Sequence, residues 1–488
     1  MGAVVTMNRA QRSGFRRRAW LIIAILATVA SVSWGVWQGG RQRLVASALP
    51  TPPDLEGHPQ AFAAEVIGET EKASGWWGSI DALGALAELY HANGFLSEAR
   101  ACYAALLRLA PSEPRWAYRD AIIAAGYGDL DLAEERLVRV GKREITYVPA
   151  RIRLGEILLK KGRLDDARAV FAAVQRQEAG EPYSLLGLAR CHIEREEWTA
   201  ARETLERLIE TTRGAMGQDL IVPIYERLGQ ALKAEQIRGR SKAGAFRDIA
   251  DPWMEELNER SFDPFQLAVA AGAAKARGEA GKAIRWLRRA VSLLPNDAPL
   301  RFQLGLALIQ SEQKAAAREQ LERCTQLDPT FADGWAYLFG VLVSMGEAGR
   351  AQQALETGLA HCPESPGLHR MRAQQLAAAG RREEALPHFR TSIRVRPTEA
   401  DTYIELAMVL LKLGRVEEGV AEFHRALEAE PGHPMALATL TFQAIAAGDE
   451  AAAREWLGRA VRQTRVPRGE IEGLSAAYRR AFGRAPSL

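Results

Sequence analysis

The chain has 488 residues, 47% of them hydrophobic and 25% charged, which is the balance of a folded protein. Its net charge of +4 is small for this length and gives no pointer to nucleic acid. The four cysteines, Cys102, Cys191, Cys324 and Cys362, form no CxxC or CxxCH spacing, so the usual metal and haem signatures are excluded. Alanine, leucine, arginine and glutamate dominate, and alternating β-branched runs are nearly absent. An all-α fold is expected.

Residues 1–18 carry Arg9, Arg12, Arg16, Arg17 and Arg18 and no acid, and read as a basic cytoplasmic tail. Ala19–Gln38 follows without a single charge, flanked by Trp20 at one end and Trp34 and Trp37 at the other. Twenty helical residues span about 30 Å, enough to cross a bilayer core. This predicts an inner-membrane anchor in a bacterium, with the body in the periplasm. A cleaved signal peptide is the alternative, with Ala46-Ser47-Ala48 as the cleavage site. Residues 39–60 include the proline-rich stretch LPTPPDLEGHP and read as a linker; residues 60–73 read as one amphipathic helix.

From there a period takes over. Pro295, Pro329, Pro363, Pro397 and Pro431 are each 34 residues apart. Gly346, Gly380, Gly414 and Gly448 share the spacing, as do Ala283, Ala317, Ala351 and Ala385. The glycine suits a left-handed helix end. The alanine lets two helices approach closely, a large residue four positions on (Phe389, Phe423) fills the gap, and the proline closes the hairpin. This pattern resembles the tetratricopeptide repeat (TPR), which implies an α-α superhelical solenoid. Eleven repeats are read in register, starting at 80, 114, 148, 182 and 214 and again at 264, 298, 332, 366, 400 and 434. Residues 61–247 thus form an N-terminal array of about five repeats and 264–467 a C-terminal array of six. Glu196 replaces the turn glycine of the fourth repeat. The period breaks over 248–263, an irregular connector that is either a hinge or a packed corner, with Trp253 expected to seal the joint. Residues 468–488 read as a capping helix and tail. Phrases such as LYHANGFLSEARACY at 89–103 and DPW at 251–253 resemble uncharacterised bacterial membrane-anchored TPR proteins, which implies no defined activity.

No P-loop, GxGxxG, GxSxG or HExxH motif is present, and the eight histidines are scattered. No catalytic residue, cofactor or metal is expected. The resemblance implies a concave groove lined by the first helix of each repeat. It offers Arg115, Tyr118, Ile122, Ile152, Glu156, Tyr183, Leu186 and Arg190 early in the chain. Later in the chain it offers Phe302, Leu306, Ala336, Arg370, Gln374, Ile404, Met408, Leu411 and Phe442, residues that either seat a partner or pack inside the superhelix. Gly84 and Glu88 stand where a chaperone-type carboxylate clamp has lysine and asparagine, so that chemistry is not supported. The expected function is a non-catalytic scaffold for a protein or peptide partner. The alternative is an accessory part in envelope assembly, such as polysaccharide export, cytochrome maturation or secretion.

Overall fold

The structure, a computed structural model, describes residues 43–75, 80–214, 216–238, 249–463 and 466–486, together with Thr28 and Gly40. The basic tail and the chargeless stretch Ala19–Gln38 lie outside the described residues. No helix among the described residues is long and apolar enough to cross a membrane.

Every regular element among the described residues is helical. Helix α1 (Gln60–Ser74) precedes five helical hairpins: α2 (Ile80–Ala92) with α3 (Leu96–Leu109), α4 (Pro114–Gly126) with α5 (Leu130–Arg143), α6 (Val148–Lys160) with α7 (Leu164–Gln177), α8 (Pro182–Glu194) with α9 (Trp198–Thr211), and α10 (Gln218–Arg227) with α11 (Ala231–Arg238). A four-residue helix, α12 (Pro252–Glu255), runs into a 3-10 turn, Glu256–Arg260. Then come α13 (Pro264–Ala276) and α14 (Ala280–Leu293), α15 (Ala298–Gln310) and α16 (Lys314–Leu327), α17 (Ala332–Ser344) and α18 (Ala348–His361), α19 (Pro366–Ala378) and α20 (Arg382–Val395), α21 (Ala400–Lys412) and α22 (Val416–Ala429), α23 (Pro434–Ala446) and α24 (Glu450–Val461), and the terminal α25 (Arg468–Phe482).

The chain forms two compact units, Met1–Ala273 and Ala274–Leu488. The division falls inside α13 and not in the 248–263 connector. The reason is that the connector packs onto the first unit: Trp253, Met254 and Phe262 lie on the cluster formed by Leu83, Tyr90, Tyr118 and their neighbours. Residues 249–262 are thus a packed part of the first unit.

Each hairpin turn uses one backbone device. The N–H of Phe95 donates to the carbonyl of Tyr90 at 3.0 Å, and Asp129 repeats this on Ala124 at 2.9 Å. This closure requires a left-handed residue just before the donor. Gly94, Gly128, Gly346 and Gly380 supply it, with φ between 77° and 85°. Glu196 (φ 57°) and Glu312 (φ 58°) hold the same position with a side chain, at a steric cost.

Packing between hairpins follows from the small and large rows. Ala99, Ala133, Ala167 and Ala201 have no exposed surface, and neither do Tyr103, Phe171 and Leu205 four residues later. Phe171 shows how tight the fit is. Its ring lies between Gly155 of α6 and Gly187 of α8, where an added Cβ would come within 2.5 Å and 2.4 Å of ring carbons. In the second unit Ala317, Leu321, Ala385 and Phe389 repeat the arrangement. Helix α25 closes that unit: Leu474 and Tyr478 pack with Ala453 and Leu457 of α24, and the Tyr478 hydroxyl donates to Glu450 at 2.7 Å.

Replacing Gly187 by alanine forces a methyl into the Phe171 ring. The expected loss is about 1–3 kcal/mol, partly offset by better helix propensity. Glu312→Gly should instead stabilise the second unit by roughly 0.5–1 kcal/mol by removing left-handed strain. Denaturant midpoints of the two variants check both signs.

Candidate peptide-binding groove

The first helix of each hairpin contributes to one face of the first unit. On α2, α4 and α6 that face is not bare: the chain's own residues 249–262 lie across it. The order of contacts runs against the order of hairpins. Ile249 packs on the cluster containing Val148, Ile152 and Phe171. Asp251 and Trp253 sit over Tyr118 and Tyr147. Arg260 and Phe262 reach Asn93, Glu65 and Phe62.

The polar chemistry of this strap is dense. Asp251 is 6% exposed, and its carboxylate accepts from the hydroxyls of Tyr118 and, at 2.6 Å, Tyr147. It also caps α12 by accepting from the Met254 N–H. The Trp253 indole stacks on Tyr147 with centroids 3.6 Å apart and meets Tyr118 edge-on. The backbone N–H of Trp253 donates to the Tyr147 hydroxyl oxygen at 3.1 Å. Arg119 of α4 has no exposed surface. It donates twice to the Trp253 carbonyl, at 3.1 and 2.7 Å, and bridges Glu88 of α2 at 2.5 Å and Glu256 at 2.7 Å. Asn93 reads the strap backbone: its amide donates to the Arg260 carbonyl at 3.0 Å and accepts from the Phe262 N–H at 2.6 Å.

Burial shapes the titration of this region. Desolvation first, then the negative charge of Asp251, raises both Tyr118 and Tyr147 well above the usual phenol value, so both remain donors. His91, hydrogen-bonded to Tyr103 at 3.1 Å, is lowered to about 3 by burial and then by the Arg119 charge.

Beyond the strap the same face is open. A cleft of about 700 Å³ lies along α6 and α8 and reaches Leu220 of α10. Leu159, Ile193 and Leu220 give it apolar walls; Arg153, Lys160 and Arg190 supply cations, and Glu156 and Glu194 acids. Arg153 pairs with Glu156 at 3.1 Å. Arg190 and Lys160 are exposed. Apolar walls with charges of both signs suit a polypeptide segment better than a small metabolite or a polyanion.

In the second unit the corresponding positions are more apolar, and some of them are exposed. Met408 is 38% exposed and Phe442 50%. Phe302 meets Phe331 and Tyr337 edge-on. Arg370 and Gln374 are committed within the unit: both bond Glu405 of α21, at 2.6 and 2.9 Å. Ile404 is core, packed with Phe423 and Leu437, and does not line the face. His369 and His388 meet with their Nδ1 atoms 2.9 Å apart. Among the described residues no group of three or more His, Cys, Asp or Glu side chains is placed to hold a metal ion.

Comparison with known proteins agrees with this architecture. Family models described as tetratricopeptide repeat match residues 152–215, 298–331 and 376–434, so they fall on both units. The chain carries tetratricopeptide repeats in both units. Protein FlbA of Caulobacter vibrioides is 24% identical over 244 residues, covering 50% of this chain and 39% of FlbA. Cellulose synthase operon protein C of Pseudomonas fluorescens is 24% identical over 320 residues, covering 62% of this chain and 24% of that protein. The chain therefore spans less than two-fifths of the length of these curated relatives. Among solved structures, yeast Tom70 superposes with a TM-score of 0.37 at 12% identity, covering 82% of this chain and 94% of that one.

Within the TPR frame, the expected groove residues divide by location. Tyr118 and Ile152 are fully buried, Ile122 is packed in the core cluster, and Arg115 pairs with Glu113 at 2.8 Å and with Glu256 of the strap at 3.4 Å. Tyr118 and Ile152 thus face the chain itself, while Arg115 and Ile122 keep part of their surface in solvent. Tyr183 and Leu186 are partly buried within clusters. Glu156 and Arg190 line the open cleft. Repeat register did not single out Arg119, Tyr147 or Asp251, whose importance comes from a segment outside the period. The one available signal was the Asp-Pro-Trp phrase at the point where the period breaks.

Removing the guanidinium in Arg119→Ala leaves Glu88, Glu256 and the Trp253 carbonyl short of a partner. A loss of about 3–5 kcal/mol in the first unit is expected from urea midpoints. His91 supplies a pH test. Unfolding restores a ring that protonates near 6.5, whereas the folded ring stays neutral to about 3. Stability from this group is complete above 6.5 and is lost as pH falls towards 3, with a slope of up to about 1.4 kcal/mol per pH unit. Between pH 6.5 and 5, His91→Gln should flatten the fall in urea midpoint.

Proposed function

We propose that this TPR protein is a non-catalytic scaffold that holds a segment of a partner protein in the open cleft of α6 and α8. One observation carries the reading. The face that forms the cleft is the same face that, on α2 and α4, already seats an irregular polypeptide segment, residues 249–262. The cleft continues that surface with apolar walls and exposed cations, features suited to peptide recognition. The family itself is one of protein-interaction repeats.

The tether belongs to the same proposal. The chargeless stretch Ala19–Gln38 behind a cluster of arginines favours a single-pass anchor with a periplasmic body, and cleavage after Ala46-Ser47-Ala48 is the competing outcome. A second reading is favoured by the relatives' names. Cellulose synthase operon protein C occurs among them from Pseudomonas fluorescens and Xanthomonas axonopodis, so service in an envelope polysaccharide pathway is the specific variant of the scaffold role.

A photo-crosslinking residue at Ile193 should capture a discrete partner in cells, and Arg190→Glu in the same chain should abolish the adduct. The same probe at Glu203 on α9 should capture nothing. Equal capture from both positions, or an adduct indifferent to Arg190→Glu, would remove the cleft as the binding site.

A further inference from the structure

Residues 249–262 have almost no structure of their own: a four-residue helix and a five-residue 3-10 turn. What orders them is the face they lie on. That face offers two kinds of recognition at once. Asn93 and Arg119 bind main-chain groups, the Arg260 carbonyl, the Phe262 N–H and the Trp253 carbonyl, which any polypeptide presents. Tyr118 and Tyr147 bind a carboxylate through their hydroxyls, and Tyr147 stacks on the indole two residues later. Main-chain bonds that hold any peptide, joined to side-chain pockets that select one, are the two components of peptide recognition.

Two further observations separate this segment from ordinary core. Leu257 is its only large apolar side chain that is fully buried; Trp253, Met254 and Phe262 keep part of their surface exposed. The core beneath is built from hairpin residues, Leu83, Leu86, Tyr90 and Leu106. On the other side, Arg119 donates three hydrogen bonds to the segment, two to the Trp253 carbonyl and one to Glu256, and a fourth to Glu88. Another segment that presents a main-chain carbonyl and a carboxylate in these places would meet Arg119 equally well.

We infer that the concave face of α2 and α4 is a ligand groove for an Asp-Pro-Trp turn, kept closed by the chain's own copy at 251–253 and opened when a partner protein presents a turn of the same chemistry. The recognised features are the acid for the two tyrosine hydroxyls, the indole for Tyr147, and a second acid three residues after the tryptophan, in the place of Glu256, for Arg115 and Arg119. The tethered copy competes at an effective concentration of about millimolar, so only a partner that binds well below that range, or one present in excess, opens the groove. The inference deepens the scaffold reading but concerns a stretch of groove separate from the α6–α8 cleft, and its test does not depend on that cleft's partner.

The probe is a fluorescent synthetic peptide of residues 249–263, titrated by anisotropy into the full chain and into a full chain whose residues 249–262 are replaced by a glycine-serine segment of equal length. The replaced chain should bind the peptide, and the natural chain should bind it at least about a hundredfold more weakly because its groove is filled. Peptides carrying Asp251→Ala or Trp253→Ala should lose about tenfold or more. Three results overturn the inference. The replaced chain fails to bind, or loses its helical circular dichroism, which makes the segment structural. The two chains bind the peptide equally, which means the segment does not fill the groove. Or sedimentation finds the natural chain to be a dimer that the peptide dissociates, which makes the occupant a second copy and not a partner.

Discussion

A guanidinium with no exposed surface must find every charge and hydrogen bond it needs inside the protein, and Arg119 meets that demand from two other segments at once. Glu88 comes from the first repeat, Arg119 from the second, and the Trp253 carbonyl and Glu256 from residues more than 130 positions away. Burying such a charge costs several kcal/mol per ion unless its partners are all in place. Its presence therefore fixes where the connector lies, and the connector in turn decides which part of the repeat face is closed and which remains open.

The consequence is a division of labour along one surface. Over α2 and α4 the face is filled, polar and aromatic, with Asp251 held between two tyrosines. Over α6 and α8 it is an open cleft with Arg190 and Lys160 free of the strap. The neighbouring hairpins are locked by apolar packing of the Phe171 kind, where glycine on both sides leaves room for the ring and no more. Tightly packed hairpins form the base on which the groove residues meet the segment. That is a condition for a surface that recognises a segment, as distinct from one that folds around it.

The second unit shows the same repeat with a different outcome. The polar residues that repeat register offered, Arg370 and Gln374, are taken up by Glu405 of the next repeat, while Met408 and Phe442 stay exposed. One repeat pattern thus yields a self-occupied surface in one unit and an apolar one in the other, because groove positions are unconstrained by the period and their neighbours differ.

The 34-residue period by itself determined the hairpins. Gly94 and Gly380 mark left-handed turns, the Ala99 row marks close helix contacts, and Phe389 marks a gap to be filled; each is a local or next-neighbour requirement that recurs wherever the residue recurs. Even the irregular turns at Glu196 and Glu312 keep the phase, since backbone closure is set by hairpin geometry more than by side chain. What the period could not contain is a contact between residues that lie outside its phase. The path of 249–262, the burial of Arg119 and the covering of Tyr118 were decided only by tertiary structure, because a pairing over 130 residues leaves no spacing in the sequence. It exists only once the hairpins have stacked and brought Glu88, Arg119 and Tyr147 to one face.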